Sequence, residues 1–135
     1  MQETKRVSLT WEEGLRFSGG ALDGPSTAID GENATAPGPM LTLLLAAASC
    51  SGSDVVGILQ KMRVQLRHLR IDVAGVRREE EPRRYTSIHL DYHLGGDGLD
   101  QVKAARAVSL SIEKYCSVIN SLAPDIAVTY AVIIA

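Results

Sequence analysis

Residues 39–63 read PMLTLLLAAASCSGSDVVGILQKMR, and the first half of this stretch is apolar on every side: Met40, Leu41, Leu43, Leu44, Leu45, Ala46, Ala47 and Ala48. A helix that is hydrophobic all round must be buried in a protein or in a bilayer. The apolar run is shorter than the roughly 20 residues a membrane span needs. The stretch therefore predicts a central buried helix around which the rest of the chain is wrapped. At its middle sits Cys50, one of two cysteines, flanked by the small residues Ser49, Ser51 and Gly52. Small neighbours leave space beside the sulfur where a ligand could approach, so the search for function starts there.

Ahead of the helix, residues 6–11, 15–18 and 26–30 read as three short strands. Val7, Leu9 and Trp11 alternate with Arg6, Ser8 and Thr10, the pattern of a half-buried strand. Glu12-Glu13-Gly14, then Gly19-Gly20 with Asp23-Gly24-Pro25, are turn signals, and an antiparallel meander is the simplest arrangement. Residues 31–38, GENATAPG, form a loop that leads into the helix, with Pro39 in its first turn.

A second β section comes after the helix. Leu69, Ile71 and Val73 face away from His68, Arg70 and Asp72, and Ile88, Leu90, Tyr92 and Leu94 alternate with His89, Asp91 and His93. Residues 76–84, VRREEEPRR, have nearly cancelling charges and read as a solvated hairpin loop. A second helix is predicted over 99–115, with an apolar stripe of Val102, Ala105, Val108 or Ser109, and Ile112. Cys116 comes next, then a short helix over 117–122 stopped by Pro124. In the last segment Ile126, Val128, Tyr130, Val132 and Ile134 are apolar, as are Ala127, Ala131 and Ile133, which predicts an interior strand. The order is βββ-α-ββ-α-α-β, an α+β layout of antiparallel sheets in one domain, residues 1–135. Two small sheets cannot easily cover a helix apolar on every side, so a homodimer is expected.

Several function classes are disfavoured. A formal net charge of -2 gives no reason to expect nucleic acid as a partner, and 4% aromatic residues leave little for stacking on bases. No apolar leader precedes the first strand, so a cytoplasmic protein with no membrane association is expected, and there two cysteines serve as thiols or as a transient redox pair. His89 and His93 lie four residues apart on a strand, about 13 Å at about 3.3 Å per residue, too far to share one metal ion. The serines around Cys50 lack a GxSxG context and a placed His or Asp, which leaves hydrolase chemistry unsupported. Arg63 reads as the cation that closes the central helix.

Four stretches carry a likeness: PM-x-x-LLLAA-x-x-C and DVV-x-IL-x-K-x-R within residues 39–63, the link TSIHLDYHLGGDGLD, and AVSLSIEKYCSV over 107–118. Together they resemble the OsmC/Ohr family of peroxide-related proteins, in its OsmC-like branch with a KYCSV signature. The resemblance implies an intertwined α+β homodimer with active sites at the interface and thiol peroxidase chemistry in oxidative stress defence. Cys50 matches the peroxidatic cysteine and Cys116 the resolving one. Arg16 is the candidate for the family's arginine from the N-terminal strands. The family's glutamate, nine or ten residues before the first cysteine, is replaced by Leu41 or Met40.

On this reading Cys50 attacks a hydroperoxide, Cys116 closes a disulfide, and an external dithiol reduces it, with no flavin, haem or metal required. Cys50 lies mid-helix, so a cation such as Arg16 is expected to support its thiolate, while Cys116 is expected to gain from the N-terminus of the short helix. An apolar lining of Met40, Leu41 and Leu44 would favour organic hydroperoxides. The competing expectation is a non-catalytic protein of this fold that binds small apolar molecules at the dimer interface. The absent glutamate favours it.

Overall fold

A computed structural model describes residues 2–135. Its elements run β1 (Ser8–Glu13), β2 (Arg16–Gly20), β3 (Ser26–Asp30), α1 (Pro39–Lys61), β4 (Gln65–Arg77), β5 (Tyr85–Asp97), α2 (Gln101–Leu110), a π-helical turn (Ser111–Tyr115), α3 (Ser117–Ser121) and β6 (Ala127–Ile134). This is the expected α+β order. The residues group into two compact units, one up to Leu43 and the other Leu44–Ala135.

In the first unit β1, β2 and β3 form the antiparallel meander that the turn signals predict. The first turn is centred on Gly14, whose φ of +55° suits glycine, and Trp11 Nε1–H donates to the Gly14 carbonyl at 2.8 Å. Val7, Leu9 and Trp11 are not half-buried: they are 78%, 57% and 63% exposed. Alternation fixes which side of a strand is apolar but not whether a second layer covers it. The loop after β3 is held by the buried Asp30, whose carboxylate accepts the backbone N–H groups of Glu32, Ala34 and Thr35 and the Thr35 hydroxyl. The N–H of Thr35, then that of Glu32, lead the interactions that hold the Asp30 carboxyl down to about 2.

Helix α1 stops at Lys61, two residues short of the expected end. Arg63 has left the helix at φ +62°, so Lys61 is the cation of the last turn. The helix continues well beyond its apolar run and, by length and composition alone, is long enough to cross a membrane. Its burial is one-sided. Leu44, Ala47, Ala48, Ser51, Gly52, Val55 and Leu59 form the three- and four-residue stripe of a helix packed on a core. Leu41 and Leu45 are 47% and 55% exposed, so this chain does not bury the helix all round.

The buried stripe meets the second sheet. Gly52 faces β4 so closely that an added carbon would lie 3.3 Å from Ile71 Cδ1. On β5, Ile88, Leu90, Tyr92 and Leu94 are all fully buried, as their alternation predicts. Strand order is β4-β5-β6, with β4 antiparallel to β5. The expectation for β6 is corrected: it runs parallel to β5 and lies at the sheet edge, not in its interior. Parallel neighbours need a long crossover, here α2, the π-helical turn and α3.

Helix α2 begins at the N-cap Asp100, whose carboxylate accepts the Lys103 N–H at 2.8 Å. Its buried stripe is Ala104, Ala107, Val108 and then Ser111, while Val102 is exposed. Of the predicted stripe, Val108 is buried and Ile112 packs against the core, whereas Val102 is exposed; the positions missed are Ala104 and Ala107, which rank below valine on hydrophobicity alone.

Candidate functional site

Cys50 and Cys116 come from different elements and meet in the second unit. Cys116, Ala47 and Ile119 form a buried apolar cluster, and half-buried Cys50 packs against it with Ile112, Val118 and Val128. Both cysteines are free thiols. The helix after Leu110 widens so that Cys116 N–H reaches back to the Ser111 carbonyl at 2.7 Å, and Cys116 then caps α3. Its sulfur accepts the Ile119 N–H at 3.5 Å and lies 4.0 Å from the Ala47 carbonyl.

The two sulfurs are not equivalent. Burial pushes the Cys116 thiol up to about 11, the Ile119 N–H pulls the other way, and the neighbouring Cys50 adds to the rise. The expectation that α3 would favour a Cys116 thiolate is therefore corrected. Five residues of helix offer little dipole, and desolvation outweighs it. At neutral pH Cys116 keeps its proton.

Beside the thiols lies a buried polar chain that no sequence motif marked. Ser51, next to Cys50 on α1, has its hydroxyl 2.6 Å from the Tyr92 hydroxyl and 2.8 Å from the Ser111 hydroxyl. Ser111 also donates to the Asp54 carboxylate at 3.0 Å. Desolvation raises the Tyr92 hydroxyl to about 12, so it is a neutral hydrogen-bonding group. Asp54 opens onto a cleft of about 440 Å³ lined by Ser53, Gly57, Ile58, Lys61, Leu110 and Tyr115. The available signal was periodicity: Ser51 falls on the buried stripe of α1, and Ser111 continues the stripe of Ala104, Ala107 and Val108.

Arg16 begins β2 in the first unit, 41% exposed, with a guanidinium nitrogen 2.6 Å from the Glu13 carboxylate across the turn. Met40 is half-buried and Leu41 exposed in the first turn of α1, whereas Leu44 is buried under β4, where its Cδ2 lies close to Gly75. An apolar groove of about 600 Å³ runs between α1 and β4, lined by Leu45, Ala48, Gly52, Val56, Leu69 and Ile71 among others. His89 bonds Thr129 and Asp91, and His93 pairs with Asp72. Among the described residues no group of three His, Cys, Asp or Glu side chains could hold a metal ion.

Residues 31–131 match the family model described as OsmC-like protein. Protein YhfA of Escherichia coli (strain K12) is 42% identical over 127 residues, 93% of this chain and 95% of that protein. The crystal structure of a hypothetical protein from Aquifex aeolicus VF5 is similar with a TM-score of 0.84 at 31% identity, covering 99% of each chain. An organic hydroperoxide resistance protein, OsmC, from Legionella pneumophila shares the fold with a TM-score of 0.68 at 16% identity, covering 98% of each chain.

Proposed function

The chain belongs to the OsmC-like family, and from that premise we propose that it reduces organic hydroperoxides through Cys50 and Cys116, as part of oxidative stress defence. The observation that carries the reading is the convergence of two free thiols, one from α1 and one from the end of the π-helical turn, on a single apolar cluster, with the proton held on Cys116. Cys50 is the half-buried sulfur of the two, so it is the one a peroxide can reach, and the buried Cys116 resolves.

The Cys50 thiolate attacks the distal peroxide oxygen, giving Cys50 sulfenic acid and an alkoxide that takes up a proton and leaves as the alcohol. The Cys116 sulfur then attacks the Cys50 sulfur. Its proton and the sulfenic hydroxyl depart as water, and the disulfide that remains is reduced by an external dithiol. Arg16 supports the thiolate and binds the peroxide oxygens, and Glu13 holds its guanidinium in the role the resemblance gives to a glutamate before the first cysteine. Met40, Leu41 and Leu44 belong to the apolar lining of the substrate site. The organic hydroperoxide class is also supported by the name of the Legionella relative in fold. The protein works as a cytoplasmic homodimer, which would cover the bare leucines of α1.

The test is peroxide turnover with cumene hydroperoxide and a dithiol. Cys50→Ser abolishes it, and Cys116→Ser stops after one oxidation, leaving a sulfenic acid that dimedone traps. Wild-type turnover in Cys50→Ser overturns the mechanism. A second reading, binding of small apolar molecules without catalysis, is favoured by the groove between α1 and β4. It predicts saturable binding and no loss of thiols on stoichiometric peroxide.

A further inference from the structure

We propose that Ser51 and Ser111 form a polar clip that holds Cys116 at Cys50 and so sets how readily the pair closes to a disulfide. The inference deepens the two-cysteine reading and rests on it. Ser51 comes directly after Cys50 on α1. Its hydroxyl meets the Ser111 hydroxyl at 2.8 Å, and the Ser111 carbonyl accepts the Cys116 N–H at 2.7 Å. Two hydrogen bonds thus join the backbone of one cysteine to that of the other. A further contact of 3.4 Å runs from the Ser111 hydroxyl to the Ser51 carbonyl.

The placement is selective. Among the described residues, tyrosines and cysteine aside, the buried polar or charged side chains are Asp30, Ser51 and Ser111, so both of those in the second unit fall at this point. A hydroxyl taken from water costs free energy unless it is hydrogen-bonded, and alanine would pack an α-helix at least as well. A fully satisfied network instead fixes one arrangement of the elements it joins. Tyr92 and Asp54 complete it from β5 and from the next turn of α1.

The π-helical turn serves the same end. One extra residue in a turn rotates the downstream residues by about 100° relative to an uninterrupted α-helix. That rotation brings Cys116, rather than its neighbour, to Ala47 and Cys50, and it frees the Ser111 carbonyl for the Cys116 N–H.

The experiment equilibrates the full-length protein with mixtures of glutathione and glutathione disulfide. In the reaction the protein dithiol becomes a disulfide as one glutathione disulfide becomes two glutathiones. Ser111→Ala lowers the equilibrium constant about tenfold, equivalent to about 30 mV for this two-electron couple. Ser51→Ala breaks the same link from α1 with the best helix former, so it supplies the measurement if Ser111→Ala folds poorly. Ser111→Thr retains the hydroxyl and restores the constant to within about threefold. A merely structural role lowers the melting temperature of the reduced and oxidised forms alike and leaves the constant unchanged. Wild-type constants in both alanine variants overturn the clip alone. A wild-type protein that forms no Cys50–Cys116 disulfide at any glutathione ratio overturns the two-cysteine reading beneath it.

Discussion

The two sheets use the same alternating grammar with opposite results. On β5, Ile88, Leu90, Tyr92 and Leu94 vanish into the core of the second unit. Along β1 and the residue before it, Val7, Leu9 and Trp11 alternate just as regularly and remain exposed, as do Leu15 and Leu22. Period-2 patterning is a statement about one strand, whereas burial depends on what the rest of the assembly brings to that face. Exposed large apolar side chains repeated along one strand face are where an interaction surface would be sought. In the proposed homodimer, a second copy of the chain is the natural cover.

The largest expected effect breaks the comparison at the covered end. Leu90→Ala empties a fully buried position and should cost about 2–5 kcal/mol, read as a lower denaturation midpoint. Leu9→Ala should cost no more than about 0.5 kcal/mol if the β1 face stays bare. If a second copy covers that face, the cost of Leu9→Ala instead grows and depends on protein concentration. Light scattering then gives a mass near twice 14.5 kDa for the wild type. A folded monomer at all concentrations removes the dimer and leaves the first sheet's apolar side unexplained.

Arg16 carries the comparison into chemistry, because the thiols belong to the second unit and the proposed cation to the first. Arg16→Ala should lower cumene hydroperoxide turnover about 100-fold, the scale of losing a positioned group at the reacting centre. Stability should change by less than about 1 kcal/mol, since the lost Glu13 pair is largely solvent-exposed. Glu13→Gln keeps the guanidinium but loosens it, so a loss of several-fold is expected. Unchanged turnover in both variants would confine the chemistry to the second unit.

Legibility in the sequence divides along a similar line, between pattern and packing. The order of elements, the β5 core face and both cysteines were legible because strong periodicity and rare residue types announce them. Four features were not. The parallel, edge position of β6 depends on how the crossover returns the chain, which its own apolar pattern does not encode. The stripe of α2 is only partly legible: Val108 and Ile112 belong to it, but Ala104 and Ala107 do not stand out because alanine carries little hydrophobic signal. The Ser51, Tyr92, Ser111 and Asp54 chain joins residues up to 60 positions apart, and serines in apolar stripes look like small fillers until a partner is seen. The Cys116 environment was misjudged for a related reason: a helix start is visible in sequence, but the desolvation that overrides it is a property of packing.

The smallest expected effect separates the two units by pH, with opposite signs. In the first unit the Asp30 carboxyl lies near 2, below the ordinary value of 3.8, because its charged form accepts three backbone N–H groups and a hydroxyl. A depressed carboxylate contributes stability above its unfolded value, and that contribution is lost as pH falls from about 3.8 through about 2. In the second unit Cys116 is raised from 9.0 to about 11. A raised group contributes its stability below the unfolded value and loses it as pH rises from 9.0 through about 11. Asp30→Asn removes the acid-dependent contribution and leaves some of the loop's N–H donors less well matched. It should therefore flatten the melting temperature between pH 4 and pH 2 and leave the alkaline limb unchanged. Cys116→Ala should flatten the alkaline limb above pH 9 and leave the acid limb as it is. The check is a melting series across both ranges on the two variants under reducing conditions. If Asp30→Asn retains the wild-type acid slope, other carboxylates govern that limb and the Asp30 loop is held by its backbone geometry rather than by its charge.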